Sequence, residues 1–186
     1  MRTFIAIPLN AECRKELTEI QGALRKFGAD VRWTSIPSIH VTLRFLGEID
    51  PALLTPLGNE LRASAVQARF RLGLEGLGAF PDLRRPRVIW CGLAGDLTIL
   101  SVLQAEVEAA CLTVGFAPED RPFKPHLTLG RVQGRTNLQA LVDYIRIGAS
   151  SRCEFAVDRY HVYKSTLTPK GAIYDILDTV DLPVSR

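Results

Sequence analysis

The chain has 186 residues, of which 47% are hydrophobic and 23% charged, and its formal net charge is +3. These values are ordinary for a soluble globular protein with a substantial core, and the mild charge does not by itself indicate nucleic acid binding. Since no apolar run approaches the roughly 20 residues of a membrane-spanning helix and no signal-peptide pattern is recognised, a cytoplasmic protein without a membrane partner is expected.

The first half of the chain predicts a regular order of elements. Apolar spacing and capping residues indicate a strand, a helix, a short extended piece, a strand carrying a histidine, a second helix and a half-buried strand. These lie at residues 4–9, 10–28, 31–33, 39–46, 50–61 and 70–75. Residues 76–86, rich in glycine, proline and arginine, are predicted to form a loop. We interpret its cluster of Arg84, Arg85 and Arg87 as a solvated face, with RNA contact as the alternative.

The second half repeats this order. A strand at 88–93 is followed by a helix at about 96–115, a proline-rich loop, the second histidine strand and another helix. Thr136 and Gln139 have capping-box spacing, which predicts the start of that last helix. The apolar alternation then changes phase near Asp158 and Arg159, which predicts a β-bulge. A turn at 166–171 and a strand at 172–177 follow.

The four cysteines predict free thiols. Cys13, Cys91, Cys111 and Cys153 lie far apart, and none forms a Cys-x-x-Cys pair. This spacing argues against a zinc site and is typical of buried thiols in a reducing cytoplasm.

One tetrapeptide pattern occurs twice, as His40-Val-Thr42-Leu and His126-Leu-Thr128-Leu. Successive side chains of a strand alternate between its faces, so each histidine is predicted to share a face with the threonine two positions on. The aliphatic residues would then pack in the core. A single such pattern is usually structural, but two copies in equivalent places, using two of only three histidines, predict a functional pair.

Two facing imidazoles can perform general acid–base catalysis. An unperturbed histidine titrates near pH 6.5, so one ring can donate a proton to a leaving oxygen while the other accepts one from water. In-line displacement at phosphorus suits this arrangement, with Thr42 and Thr128 binding the non-bridging oxygens and Arg131 offsetting charge. No metal is expected, because two histidines without carboxylates or thiolates make a poor ligand set.

Four further residues are candidates for substrate binding, and each also has a purely structural interpretation. Trp33 and Phe45 either belong to the core or stack on RNA bases. Ser165 and Tyr174 either line the cleft and bind substrate or only build the last hairpin. His161, between two tyrosines and without a threonine two positions on, is interpreted as structural.

The duplicated order predicts an α+β fold with two pseudo-symmetric lobes. Each lobe would be an antiparallel sheet flanked by helices, with one histidine motif from each facing a central cleft. Because no flexible linker separates the halves, residues 1–186 are predicted to form a single bilobal domain.

The residues around the motifs resemble the two-histidine (2H) phosphoesterase superfamily, in particular the bacterial and archaeal RNA 2′,3′-cyclic phosphodiesterases once called 2′-5′ RNA ligases. The resemblance spans nearly the whole chain. It rests on residues 4–8, 31–33, 40–47, 78–81, 87–90, 123–131, 163–165 and 171–174. Lys164 stands where arginine is frequent, and Gly130 where alanine is frequent.

The resemblance implies opening of an RNA 2′,3′-cyclic phosphate to a 2′-phosphomonoester, without metal or cofactor. His40 would be the proton donor to the departing 3′ oxygen and His126 the base that activates water, while Thr42, Thr128 and Arg131 hold the phosphate. Reverse 2′-5′ ligation is allowed by microscopic reversibility. The expected partner is an RNA with a cyclic phosphate end, such as a tRNA fragment, and the chain is expected to be a monomer.

Two alternatives stay open. A relative acting on a small cyclic nucleotide or an ADP-ribose cyclic phosphate would turn over the small molecule far better than an RNA end. An RNA-binding module with an idle cleft would bind RNA in a salt-dependent way but release no product.

Overall fold

The computed structural model describes residues 1–65, 68–148, 153–169 and 171–184. The helices are α1 (Ala11–Arg25), α2 (Leu54–Ser64), α3 (Leu97–Thr113) and α4 (Leu138–Ile147), with short 3₁₀ helices at Ile36–Ser38 and Pro51–Leu53. The strands are β1 (Arg2–Ile7), β2 (Val31–Trp33), β3 (Val41–Glu48), β4 (Phe70–Phe80), β5 (Val88–Gly95), β6 (Leu127–Val132), β7 (Glu154–Val157), β8 (Arg159–Thr168) and β9 (Gly171–Asp181).

In the described residues these strands form two antiparallel sheets. The four-stranded sheet has the order β3-β1-β8-β9, and the five-stranded sheet has the order β2-β6-β5-β4-β7. The predicted α+β architecture with two sheets and flanking helices is confirmed. Each sheet draws strands from both halves of the chain, because β2 and β4 join the second sheet while β8 and β9 return to the first.

The helices tie the two sheets together. Gln21 of α1 donates from Nε2 to the carbonyl of Leu129 on β6, at 3.0 Å, and α4 contacts β4. In turn α2 contacts β9, and α3 contacts β3. The helix α3, which connects β5 and β6 of the five-stranded sheet, therefore packs against β3 of the four-stranded sheet, and one buried apolar cluster includes residues of both sheets.

The glycine-rich segment predicted as a loop is partly strand. β4 continues through Gly76, which has φ +68°, to Phe80, with an irregular register between Glu75 and Leu77. Gly78 is needed within it because a Cβ at that position would lie 2.2 Å from the Trp90 ring. The glycines thus allow a bulge and a close ring contact rather than ending the strand.

The change of phase at Asp158 is a change of sheet, so the predicted bulge is wrong. β7 ends at Val157 beside β4 in the five-stranded sheet, and β8 begins at Arg159 beside β1 in the four-stranded sheet. Each strand buries its own apolar face, and the chain crosses between sheets where the alternation reverses.

Some predicted ends also differ from the structure. The capping box at Thr136 is wrong, because α4 begins at Leu138 and is preceded by Asn137 in the left-handed conformation, without a side-chain cap. β9 is longer than predicted and runs to Asp181, and the predicted turn is shorter because β8 reaches Thr168. Asn10 caps α1 as predicted, since its Oδ1 accepts from the Cys13 amide at 2.8 Å.

The prediction of four free thiols is wrong for one pair. Cys13 of α1 and Cys153, just before β7, form a disulfide. Cys91 and Cys111 are buried free thiols, and burial raises the pKa of both. The spacing of Cys13 and Cys153 in the sequence could not show that α1 packs beside the start of β7, so the cysteines no longer favour a reducing compartment.

Candidate active site

The two histidine motifs lie at the starts of β3 and β6, one in each sheet. His40 and His126 each stand one residue before a strand, β3 and β6 respectively. Thr42 and Thr128 are half-buried, whereas the aliphatic residues on either side of each threonine are buried. A cleft of about 520 Å³ lies between the sheets and is lined by both motifs.

All but one of the predicted site residues line this cleft. They are His40, Thr42, Phe45, His126, Thr128, Arg131, Ser165 and Tyr174. Trp33 does not line it: its ring packs against the core, with the Arg25 guanidinium 5.4 Å from the ring centroid. The base-stacking alternative for Trp33 therefore finds no support in its position. His161 also lies outside the cleft, buried, with Nδ1 2.9 Å from the Thr179 hydroxyl.

A bulge in β3 brings Phe45 into the cleft. Thr42 lies opposite Ala6 and Phe45 lies opposite Phe4, so β3 has one residue more than β1 between these pairs. The extra residue falls at Leu43. Because Phe4 and Ala6 share a face of β1, Phe45 shares the face of Thr42, although simple alternation would place it on the opposite side.

β6 has an equivalent bulge, and it brings Arg131 into the cleft. Thr128 lies opposite Trp90 and Arg131 lies opposite Val88, so the extra residue falls at Leu129. Both bulges therefore occur at the last residue of the tetrapeptide. Each motif delivers three side chains to the cleft rather than two, at relative positions one, three and six.

The residue after the first bulge points away from the cleft. Arg44 is 5% exposed, and its guanidinium lies 2.8 Å from the carboxylate of Glu108 on α3 and 3.7 Å from that of Glu119. It also donates to the carbonyl of Ala117. Arg44 thus fastens the first motif strand to α3 and to the segment that follows it.

His40 lies in an aromatic enclosure. The Phe4 ring stacks on it with centroids 4.6 Å apart, and Tyr174 meets it edge-on at 5.4 Å. Burial in this enclosure lowers the pKa of His40 to about 4, opposed by a hydrogen bond with the Ser38 backbone and aided by the nearby His126. The neutral ring is therefore the resting form in the empty cleft at neutral pH.

His126 has a different support. Its Nδ1 lies 2.7 Å from the carbonyl of Lys124, and Phe80 meets its ring edge-on at 4.8 Å. Burial lowers the pKa of His126, and Arg131 contributes in the same direction, while the Lys124 carbonyl opposes them. In the tautomer that donates from Nδ1 to this carbonyl, Nε2 is left to accept a proton.

The stability of the protein should fall in mild acid because His40 is held neutral. A folded-state pKa near 4, against 6.5 for a free histidine, means that the unfolded chain binds more protons between these values. The free energy of unfolding should therefore decrease as the pH falls from about 6.5 to 4, in urea titrations at a series of pH values. His40→Gln should weaken this dependence, and an unchanged slope would contradict the proposed burial effect.

The described residues contain neither a metal-binding cluster nor a membrane-spanning helix. No group of three or more His, Cys, Asp or Glu side chains in those ranges is arranged to hold a metal ion. No helix in the same ranges is long and apolar enough to cross a membrane.

The arrangement of paired strands and histidine motifs is that of a LigT-like phosphoesterase. The family model described as LigT like phosphoesterase matches residues 7–90 and 98–174. The chain therefore belongs to this family of two-histidine enzymes.

Relatives and solved structures agree with this assignment. Proteins named RNA 2′,3′-cyclic phosphodiesterase from Aeropyrum pernix and Thermotoga maritima are 37% and 36% identical to the chain, over 87% and 95% of its length and 92% and 93% of theirs. A Thermus thermophilus crystal structure superposes with a TM-score of 0.81 at 29% identity, covering 100% of both chains. Escherichia coli LigT complexed with 3′-AMP superposes with a TM-score of 0.77 at 25% identity, covering 97% of each chain.

Proposed function

We propose that the protein hydrolyses RNA 2′,3′-cyclic phosphate ends to 2′-phosphomonoesters by metal-independent acid–base catalysis. The observation that carries this proposal is the pair of equivalent motifs, each with a histidine and a threonine, lining one cleft. The names of the relatives supply the substrate class. The 3′-AMP complex of a structural neighbour adds that a protein of this fold binds a nucleotide.

The reaction needs one proton accepted and one donated. Nε2 of His126 takes a proton from water, whose oxygen attacks phosphorus opposite the 3′ oxygen. As the new P–O bond forms, the P–O3′ bond breaks, and His40 delivers a proton to the leaving 3′ oxygen. The phosphate stays on the 2′ oxygen. The donor and acceptor roles follow the family resemblance, and solvent resets both rings after each turnover.

Substrate binding prepares His40 for its role. Its pKa is low in the empty cleft, so an acid function needs a change that favours the imidazolium. The negative phosphate supplies it, because an anion beside a histidine raises the pKa of that ring. Protonation of His40 is thereby coupled to the presence of the substrate.

The remaining cleft residues hold the substrate. The hydroxyls of Thr42 and Thr128 donate to the non-bridging oxygens, and the Arg131 guanidinium offsets their charge. Phe45, which is 61% exposed, and Tyr174 offer aromatic faces for the terminal base, and Ser165 adds a hydroxyl. All these groups come from one chain, so the proposed site is complete without a second subunit, and the proposed enzyme is a monomer.

The substrate class is tested by a comparison of RNA with small cyclic phosphates. An oligonucleotide with a 2′,3′-cyclic end should give a higher kcat/KM than 2′,3′-cyclic mononucleotides or ADP-ribose cyclic phosphate. Preference for a small molecule would favour the alternative enzyme, and RNA binding without product would favour the idle binding module. Incubating a 2′,3′-cyclic phosphate end with an RNA 5′-hydroxyl end tests ligation, which we expect to be the slower reaction in water.

Arg131→Gln should lower kcat/KM for the cyclic phosphate by about 10- to 100-fold, because a charge-assisted hydrogen bond to phosphate is lost. Arg71→Gln is the matched control, since Arg71 is 65% exposed and pairs with Glu154 away from the cleft. Steady-state kinetics on both variants would check this. Equal effects of the two substitutions would contradict a phosphate contact by Arg131.

A further inference from the structure

A second groove lies beside the cleft and is strongly basic. It has a volume of about 580 Å³ and is formed by the β4–β5 connection, the end of β6 and the first turns of α4. Its cations are Arg84, Arg85, Arg87 and Arg135, all exposed, and Leu138 and Val142 of α4 supply an apolar side. We call it the arginine groove.

The charges of this groove are not compensated by ion pairs. In the described ranges no carboxylate lies within 4 Å of any of its four guanidinium groups. The neighbouring Asp82 accepts from the backbone amides of Arg84 and Arg85 and shapes the turn, and its carboxylate lies near their charges without forming an ion pair with either. Arg71, Arg146 and Arg159, by contrast, each pair with a carboxylate.

The groove and the cleft share no lining residue, but they are close in sequence along β6. Arg131 lines the cleft, and the next three residues, Val132, Gln133 and Gly134, line the groove. Arg135 also lines the groove, and four residues of fully extended backbone would place its Cα at most about 14 Å from that of Arg131. An extended polyanion whose end occupies the cleft, and whose next nucleotides pass Arg131, is therefore within about 14 Å of Arg135.

We propose that the arginine groove binds the backbone phosphates of the RNA strand upstream of its cyclic end, so that the enzyme distinguishes an RNA end from a free cyclic nucleotide. This rests on the proposed function of the cleft. Guanidinium groups bind phosphates well, and a single strand places one negative charge at every nucleotide. The apolar wall can take sugar or base surface, as in other single-strand sites.

The test compares two triple variants on two substrates. Arg84→Gln, Arg85→Gln and Arg135→Gln remove three of the four groove charges and leave Arg87 in place, and Arg71→Gln, Arg146→Gln and Arg159→Gln remove the same charge elsewhere. The groove variant should lose about 10-fold or more in kcat/KM on a ten-nucleotide RNA with a cyclic end and change little on a 2′,3′-cyclic mononucleotide. The control variant should retain both activities.

Binding measurements separate this inference from the catalytic proposal. RNA binding is measured by fluorescence anisotropy in a His40→Ala, His126→Ala background, with the same RNA at several salt concentrations. The slope of the logarithm of the binding constant against the logarithm of the salt concentration should be smaller in magnitude by about two for the groove variant, because each lost phosphate contact removes about 0.7. RNA binding that depends on the groove, without hydrolysis by the unmodified protein, would overturn the catalytic proposal alone. Equal losses on RNA and mononucleotide, or no effect on RNA, would overturn the groove.

Discussion

Replacing either His40 or His126 by alanine is expected to lower kcat for cyclic phosphate hydrolysis by about 10²- to 10⁴-fold, the usual contribution of one general acid or base. Both rings line the cleft and are held by surrounding groups: Phe4 and Tyr174 enclose His40, and Phe80 with the Lys124 carbonyl supports His126. The kcat of the double variant should be close to that of the less active single variant, because the two proton transfers act as one unit.

His161→Gln provides the matched control, because it changes the third histidine without touching the cleft lining. His161 is 7% exposed and contacts Thr179, so its variant should be checked for folding by thermal denaturation. Its kcat should stay within a few-fold of the unmodified protein. A His40 or His126 variant with comparable activity would show that its ring does not transfer a proton in the rate-limiting chemistry.

Arg44→Ala should lower the free energy of unfolding by about 3 kcal/mol, because it removes one partner of a largely buried charged cluster. Glu108 would be left without its 2.8 Å ion pair, next to Glu119, and the Ala117 carbonyl would lose a donor. Urea denaturation at neutral pH measures the change. Arg44 does not line the cleft, so any loss of activity should come from movement of the first motif when β3 is no longer anchored to α3.

Arg146→Ala is the comparison for this second prediction. Arg146 and Asp143 lie 3.3 Å apart on α4 and both are more than half exposed, so the loss should be about 0.5 kcal/mol or less. Equal losses for Arg44→Ala and Arg146→Ala would mean that the Arg44 cluster contributes no more than a surface ion pair.

The catalytic candidates could be predicted because the relevant pattern is local. A histidine and a threonine two residues apart reveal a shared strand face, and the repetition at His126 points to a second copy in a matching place. The order of helices and strands also follows from local periodicity. The Asn10 cap, which depends only on neighbouring residues, is confirmed, whereas the equally local capping box at Thr136 is wrong.

The remaining features depend on residues far apart in the chain. The enclosure of His40 by Phe4 arises because β1 lies beside β3, and Phe4 reads in the sequence as an ordinary apolar strand residue. Phe80, which supports His126, lies in the glycine-rich segment that is predicted to be a loop but forms the end of β4. The disulfide between Cys13 and Cys153 depends on tertiary packing in the same way.

The bulges in β3 and β6 also could not be predicted from the sequence. Strict alternation assigns Phe45 and Arg131 to the core side, whereas the register with the neighbouring strands turns them toward the cleft. A bulge is defined by a mismatch with a partner strand, so a single sequence does not contain it. The extra residue at Leu43 and at Leu129 is what lets one motif supply Phe45 and the other Arg131.

The most direct test follows the phosphate itself. An RNA with a 2′,3′-cyclic end is incubated with the protein in excess chelator, and the product is identified by ³¹P NMR and by its resistance to a 3′-specific phosphatase. We expect a 2′-phosphomonoester, formed at the same rate with and without chelator and lost in the His40→Ala and His126→Ala variants. A 3′-phosphate product, or activity abolished by chelator, would contradict two-histidine expulsion of the 3′ oxygen.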